Sequence, residues 1–472
     1  MKIKKSLFWS GVDKLSTQGL QFLLTMIIAR TVSPSAYGLV AMTTIFVAVS
    51  QIFVDSGFSN ALIHKQERKP IDFSTIFIFN IFLSIFLYLL IWMAAPWVAQ
   101  FYEEQELVSV LRVAALSIII NSLSIIQRAI LTIAIDFKRQ TVISLVAIVV
   151  SGALGIAFAY LSFGVWALVW QTLAFQFVSM VGLWFSTQWR PRWEFSTDSF
   201  RDLFGYGSKL LLSALIDTIY SNLNSMVIGR RFSAQSLGYY NRAYAFSSLP
   251  TSSYSLIVTR VLFPSWCALC SDEVVRCDFK RYISLTSFVV APIMVLLSML
   301  SAPLIVLTLT AKWLPSANYM SVLCVALIAF PLSAINDNLL KVKGRTDLFL
   351  RAEIIKKIIG VALTLTALNY GVMMICYALL CTQFVGLLIN IYYAQIAIGM
   401  QIGVQIKIIG IRLAISALAS VATSALLQHV VLGNICKIVV VGVIYTSIYI
   451  LLSAIVKIEE IKFLCQFIRS KR

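Results

Sequence analysis

Charge is what this sequence has least of. Asp, Glu, Lys and Arg together make up 12% of its 472 residues, and only 20 of them are acidic, against about 25% charged residues in an ordinary globular chain. With 60% of the side chains hydrophobic, no single core could bury the apolar surface and still meet water. A soluble enzyme and a secreted disulfide scaffold are both excluded. Histidine is almost missing, and His64 and His429 stand alone in loops, suggesting neither a metal site nor a catalytic triad. Cys267, Cys270 and Cys277 form a C-x2-C-x6-C group without a fourth ligand, and scattered thiols in a reducing compartment are the better reading. There is no Walker A glycine loop, so ATP is not expected to drive the protein directly. No metal and no cofactor are expected.

What the chain does have is apolar runs of membrane-spanning length. About 20 apolar residues cross a bilayer, and roughly fourteen such stretches are found, at 10–30, 37–60, 73–95, 107–128, 141–161, 164–186, 205–229, 238–260, 284–309, 317–340, 353–369, 372–397, 408–428 and 436–456. The fold class expected is an all-α polytopic membrane protein. No secretory signal peptide is expected, because Asp13 and Lys14 interrupt what would be its apolar region after Lys2, Lys4 and Lys5.

The net charge of +18 would suggest nucleic acid in a soluble protein. Here the basic residues sit in short clusters between apolar runs, so no nucleic-acid partner is expected. One set of loops carries Lys65/Arg68/Lys69, Lys138/Arg139, Arg190/Arg192/Arg201, Arg276/Lys280/Arg281 and Lys341/Lys343/Arg345/Arg351, together with both chain ends. The other holds little beyond Arg30, Arg230/Arg231, Lys312 and Lys437, with the acidic Glu103, Glu104 and Glu106. Positive loops are retained in the cytoplasm, which predicts that both termini are cytoplasmic. All outer loops are short, so the function is expected to lie within the bilayer.

The chain also repeats itself. Ile28-Ala29-Arg30-Thr31-Val32-Ser33-Pro34, followed by Gly38, matches Ile228-Gly229-Arg230-Arg231-Phe232-Ser233-Ala234, followed by Gly238. A second echo pairs Asp136-Phe137-Lys138-Arg139 with Asp347-Leu348-Phe349-Leu350-Arg351. Six helices per half give both halves one orientation, so the repeats are expected to be parallel, with a transport path between them. The expected organisation is an N-lobe over 1–195, a C-lobe over 196–400, and two further helices with a tail over 401–472.

Polar residues inside apolar spans mark functional faces, since facing lipid is costly for them. At about 100° per residue, Ser10, Asp13, Lys14, Thr17, Gln18, Gln21 and Thr25 share one side of the first span. Tyr37, Thr44, Gln51, Asp55 and Ser59 share one side of the second, and Lys209, Ser213, Asp217, Tyr220, Ser221 and Asn224 one side of the seventh. The repeat maps the second stripe onto Tyr244, Thr251, Ser255 and Thr259 of the eighth span. These four faces are read as the lining of one hydrated cavity. Two competing readings stand beside this one: Ser and Thr that only join helices, and structural ion pairs Asp13–Lys14 and Lys209–Asp217.

Some of these residues resemble a known family. The run Ile28 to Leu39, the run Asp55-Ser56-Gly57-Phe58-Ser59-Asn60-Ala61-Leu62-Ile63, and the segments Tyr239-Tyr240-Asn241-Arg242-Ala243-Tyr244 and Thr259-Arg260-Val261-Leu262-Phe263-Pro264 are similar to motifs of Wzx/WzxC-like polysaccharide flippases. These belong to the multidrug/oligosaccharidyl-lipid/polysaccharide (MOP) exporter superfamily. The resemblance implies two six-helix lobes in parallel pseudo-repeat. It also implies export of undecaprenyl-diphosphate-linked oligosaccharide across a bacterial inner membrane by alternating access, for O-antigen, capsule or exopolysaccharide synthesis. A polysaccharide polymerase and a chain-length regulator are partners it suggests, besides membrane lipids. Relatives that flip peptidoglycan precursor carry several arginines in the first two helices, where this chain has Asp13, Lys14 and Asp55, with Arg30 at the outer end.

On this reading Lys14, Lys209 and Arg30 are the candidates for diphosphate contact, and Gln21, Gln51, Tyr220 and Asn224 for sugar hydroxyls. Asp13, Asp55 and Asp217 are candidates for coupling to an H+ or Na+ gradient. The alternative is a cation-coupled multidrug antiporter of the same fold. A membrane-embedded polymerase or ligase is disfavoured, because the outer loops are too short for an active site.

Overall fold

The computed structural model describes the backbone of residues 2–55, 57–65, 67–267, 271–428, 430, 433–458 and 460, with side chains described there except at 2–15, 60, 206, 209, 261 and 272. Among the described residues there are eighteen α-helices and two 3-10 turns, and no strand. Packing divides the chain into two units, Met1–Gly238 and Tyr239–Arg472. The first holds α1 (Lys2–Thr31), α2 (Pro34–Asp55), α3 (Phe58–His64), α4 (Pro70–Tyr102), α5 (Leu107–Ala114), α6 (Leu116–Ile133), α7 (Phe137–Tyr160), α8 (Val165–Ser186), α9 (Thr197–Arg231) and the first residues of α10 (Ala234–Cys267). The second holds the rest of α10 with α11 (Asp272–Met299), α12 (Ser301–Leu309), α13 (Pro315–Leu327), α14 (Ala329–Val342), α15 (Thr346–Ala367), α16 (Val372–Ile398), α17 (Ile402–Leu427) and α18 (Asn434–Ile455).

Polar residues start these helices where backbone N–H groups lack partners. Asp72, in the first turn of α4, accepts from the Lys69 backbone N at 2.9 Å and pairs with Lys65 at 3.0 Å. Asp136 caps α7 by accepting from the Arg139 N at 3.1 Å, and Ser196 caps α9 by accepting from the Ser199 N at 3.3 Å. Asp347 stands in the first turn of α15, the repeat counterpart of α7. Its partner is Arg345 at 3.2 Å rather than Arg351, and that hydrogen bond holds the carboxyl below the ordinary aspartate value.

Among the described residues, eleven helical segments are long and apolar enough to cross a membrane. The other three of the fourteen expected spans fall in α1, α10 and α15. The last is too polar at its start, with Arg351, Glu353, Lys356 and Lys357 in its first half. The second expected span, at 37–60, ends early. Gly57 adopts a left-handed φ of 67°, which stops α2 at Asp55 and lets α3 set off afresh.

In the first unit α9 packs on the helices before it. Leu203 joins Phe58, Leu62, Ile76, Phe77 and Ile126 in one buried cluster. A Cβ on Gly57 would stand 2.8 Å from the Gly207 carbonyl oxygen, so α9 lies directly on the turn between α2 and α3. In the second unit, Trp266, Phe279, Ile335, Leu339 and Ile391 lie in one buried cluster, and Phe288, Ile415, Tyr445 and Tyr449 in another.

The sequence repeat reappears in hydrogen-bond detail at the corners α1–α2 and α9–α10. Val32 N donates to Ile28 O at 3.0 Å, and Phe232 N to Ile228 O at 3.0 Å. Ser33 Oγ accepts from Ala36 N at 3.3 Å, and Ser233 Oγ accepts from Ser236 N at 3.1 Å. The corners then meet each other. A Cβ on Gly38 would lie 1.7 Å from the Ala234 carbonyl oxygen, and one on Gly238 would lie 1.9 Å from that of Pro34. Each glycine thus faces the first-turn carbonyl of the other helix, a reciprocal contact that a local two-fold relation produces. Only the missing side chains allow so close an approach.

Candidate functional site

The polar stripe of α9 falls on a helix that neighbours leave largely uncovered. From Leu210 to Arg231 of α9 only Ile228 and Gly229 are buried, both near its last turn. The exposed surface of α9 has two characters. Leu212, Ile216 and Ile219 are exposed along one arc. At about 100° per residue, Ser213, Asp217, Tyr220, Ser221 and Asn224 occupy a separate arc beside it. Asp217, Ser213 and Ser221 are exposed, while Tyr220 and Asn224 are half-buried.

On α1, Gln21 is exposed and Thr17, Gln18 and Thr25 are half-buried. Arg30 is exposed in the last turn, where a cation is favoured by the helix dipole. On α2, Thr44 and Asp55 are exposed and Gln51 is half-buried. Asp55 is the last residue of its helix, and its carboxylate accepts from Ser59 Oγ at 2.6 Å. Asp217, by contrast, lies near the middle of α9. The two carboxylates therefore stand at different depths. The side chains of Asp13, Lys14 and Lys209 lie outside the described residues, as does Cys270; Cys267 and Cys277 are exposed free thiols.

Three residues of the expected lining are buried instead. Tyr37 is 6% exposed, and its hydroxyl donates to the Thr25 carbonyl at 3.2 Å, so it joins α2 to α1. The stripe mapped onto α10 is only partly open: Tyr244 is exposed and Thr259 half-buried. Thr251 and Ser255 are covered, and their hydroxyls bond Ser248 O at 3.1 Å and Thr251 O at 2.8 Å within their own helix. A hydroxyl can satisfy itself on the preceding turn in this way, which is why a polar stripe of Ser and Thr need not face water.

Sequence reasoning missed several charged partners. Arg230, the repeat counterpart of Arg30, pairs with Glu103 at 2.6 Å and sits 5.2 Å from the centroid of the Phe101 ring. With side-chain exposures of 44% and 75%, this pair is screened, and Glu103→Ala is expected to cost about 0.2–1 kcal/mol in thermal unfolding. A loss of several kcal/mol would contradict that placement. In the second unit Lys356 of α15 pairs with Glu353 and lies 3.6 Å from Asp337 of α14. Arg412 of α17 pairs with Glu460 at 3.0 Å, both nearly buried. For Arg412 the signal was a lone charge inside the expected span 408–428; its partner Glu460 lies outside that span, where periodicity says nothing.

The arrangement is a set of polar, uncovered faces on otherwise apolar spanning helices, with a cation at one end and carboxylates at two depths. It offers hydrogen bonds and charge along a hydrophobic thickness. Residues 27–318 match the family described as polysaccharide biosynthesis protein. Among similar proteins, the teichuronic acid biosynthesis protein TuaB of Bacillus subtilis (strain 168) is 29% identical over 63% of this chain, a match spanning 62% of its own length. The lipopolysaccharide biosynthesis protein WzxC of Escherichia coli (strain K12) is 22% identical over 74% of this chain and 71% of its own. The succinoglycan biosynthesis transport protein ExoT of Rhizobium meliloti (strain 1021) is 24% identical over 66% and 63%. Among solved structures, the lipid II flippase MurJ in an inward closed conformation matches with a TM-score of 0.78 at 16% identity, covering 96% of this chain and all of its own. An inward-facing multidrug resistance MATE family transporter of the MOP superfamily matches with a TM-score of 0.64 at 17% identity, over 82% and 98%. At such identities the structural likeness speaks to the fold, and the family match covers more than half of the chain. The chain therefore belongs to the polysaccharide biosynthesis protein family, and it shares the fold of the MurJ and MATE structures.

Proposed function

We propose that this protein is a flippase that moves undecaprenyl-diphosphate-linked oligosaccharide from the inner to the outer leaflet of a bacterial inner membrane, by alternating access. The observation that carries the reading is the uncovered polar face of α9, where Ser213, Asp217 and Ser221 are exposed inside a span of mean hydropathy 1.2. Relatives named for teichuronic acid, lipopolysaccharide and succinoglycan synthesis supply the substrate class. The basic-rich loops are taken as cytoplasmic, with both termini inside.

A diphosphate with a polar glycan cannot enter hydrocarbon unaided, since burying an unpaired charge is prohibitive. The faces of α1, α2 and α9 substitute for headgroup water while the prenyl tail stays in lipid. Lys14 and Lys209 meet the diphosphate as point charges, and Arg30 receives it at the outer end. Gln21, Gln51, Tyr220 and Asn224 bond sugar hydroxyls. Asp13, Asp55 and Asp217 couple the cycle to an H+ or Na+ gradient. The Gly38–Gly238 contact is the outer closure, which must part for release.

The test is deletion of the gene followed by analysis of lipid-linked oligosaccharides, with complementation by the wild type and by Lys14→Ala/Lys209→Ala. Deletion is expected to accumulate the lipid-linked intermediate on the inner leaflet. The double variant is expected to reach the membrane without restoring surface glycan. Normal surface glycan in the deletion, together with new drug sensitivity, would favour the antiporter instead. Normal glycan in the double variant would remove the two lysines from the mechanism.

A further inference from the structure

Away from the polar faces, the second unit carries a cavity of about 490 Å³ lined by Glu273, Arg276, Cys277, Lys280, Gly399, Met400, Gln401 and Val404. It opens where α11 begins, α16 ends and α17 begins, at the end of the helices that carries the basic-rich loops. We propose that this cavity is a binding site for the phosphodiester headgroup of an anionic glycerophospholipid.

Arg276 is held in place on the cavity wall. Its Nη2 donates to the Ile398 carbonyl at 2.5 Å, leaving the other guanidinium N–H groups for a ligand. Gly399 makes that placement fit, since a Cβ there would stand 3.2 Å from the same nitrogen. Lys280 follows one helical turn later on the same face and forms no ion pair among the described residues. At the opposite wall Gln401 precedes α17 without a side-chain cap, so first-turn N–H groups add partial positive charge there. Cys277, Met400 and Val404 give the cavity an apolar side for the glycerol and acyl carbons.

The charge count selects the ligand. Two cations and one carboxylate line the cavity, a net charge of about +1 that matches a phosphodiester monoanion rather than a phosphate dianion. Basic pockets between spanning helices at the cytoplasmic face are suited to such headgroups. The leaflet assignment rests on the sidedness reading above; the binding itself does not, and it is measured without transport.

The test uses the full-length protein in detergent, with phosphatidylglycerol, phosphatidylethanolamine, inorganic phosphate and undecaprenyl phosphate as probes, read by native mass spectrometry. Phosphatidylglycerol is expected to bind most tightly. R276A/K280A is expected to weaken it about tenfold or more, while K341A/K343A on another basic loop leaves it unchanged. K280A alone keeps the Arg276–Ile398 bond and is expected to give an intermediate loss. V404W fills the cavity and is expected to exclude the lipid. Equal loss in R276A/K280A and K341A/K343A would reduce the effect to general surface charge. Displacement by inorganic phosphate, preference for phosphatidylethanolamine that depends on Glu273, or tighter binding of undecaprenyl phosphate would each overturn the proposal. None of these outcomes bears on whether the polar faces carry substrate.

Discussion

Replacing Gly38 or Gly238 by valine is expected to drive the two corners apart and destabilise the packing seen here by about 1–3 kcal/mol or more, the range for overpacked sites. The obstacle at each glycine is a backbone carbonyl, at 1.7 Å from the added Cβ for Gly38 and 1.9 Å for Gly238. A side chain in the way can rotate; a carbonyl in a helix's first turn moves only with its helix. The relief is therefore separation of α2 from the start of α10. Ala234, 3% exposed in this packing, supplies the readout. A cysteine there is expected to react several-fold faster with a hydrophilic thiol reagent in the Gly38→Val background. Gly205→Ala is the control, because nothing lies within 4 Å of a Cβ at that position; it is expected to be neutral or slightly stabilising. Unchanged labelling and unchanged thermal unfolding in Gly38→Val would show that the corners do not meet in the membrane.

Removing Arg412 is expected to have the larger effect on stability. Arg412 Nη2 lies 3.0 Å from Glu460 Oε1 and 3.1 Å from Oε2, Nη1 donates to Ile408 O at 2.9 Å, and Ser284 bonds both charged groups. With side-chain exposures of 9% and 10%, neither charge has water to fall back on. Arg412→Ala or Glu460→Ala leaves the other charge buried and uncompensated, a loss of about 3–5 kcal/mol. The double replacement Arg412→Met/Glu460→Leu removes both charges together and is expected to recover most of that loss. Thermal unfolding of the three variants distinguishes the cases. Equal tolerance of the single and double variants would mean that Glu460 does not stay packed on α17.

Much of this architecture is legible in the sequence, for physical reasons that also explain where legibility stops. A span must be apolar to cross lipid, so the expected spans fall largely on helices, although the second runs past the end of α2 at Asp55. The corner repeat is readable because Arg, Ser and Gly at a spacing of 200 residues serve the same cap and the same close approach in both halves. The meeting of Gly38 with Gly238 is not readable, since two matched motifs do not say that they touch. The same limit applies to α9, whose contacts with Phe58 and Gly57 bring it into the first unit. Periodicity placed Thr251 and Ser255 on a water-facing stripe, but their hydroxyls bond their own helix and both are covered. Among the carboxylates and amides of the other stripes, Asp55, Asp217 and Gln21 are exposed, while Gln51 and Asn224 are half-buried.

The decisive measurement is water access to the uncovered faces. In a variant without native cysteines, single cysteines at Gln21, Asp55, Ser213 and Asp217 are to be exposed to a small charged thiol reagent in membranes, beside Ile216 and Ile219 on the apolar arc of α9. Rapid modification at the first four and slow modification at the last two is the expected result. If Ser213 and Asp217 proved as unreactive as Ile216, α9 would be bathed in lipid or sealed in protein, and no polar cargo could pass along it.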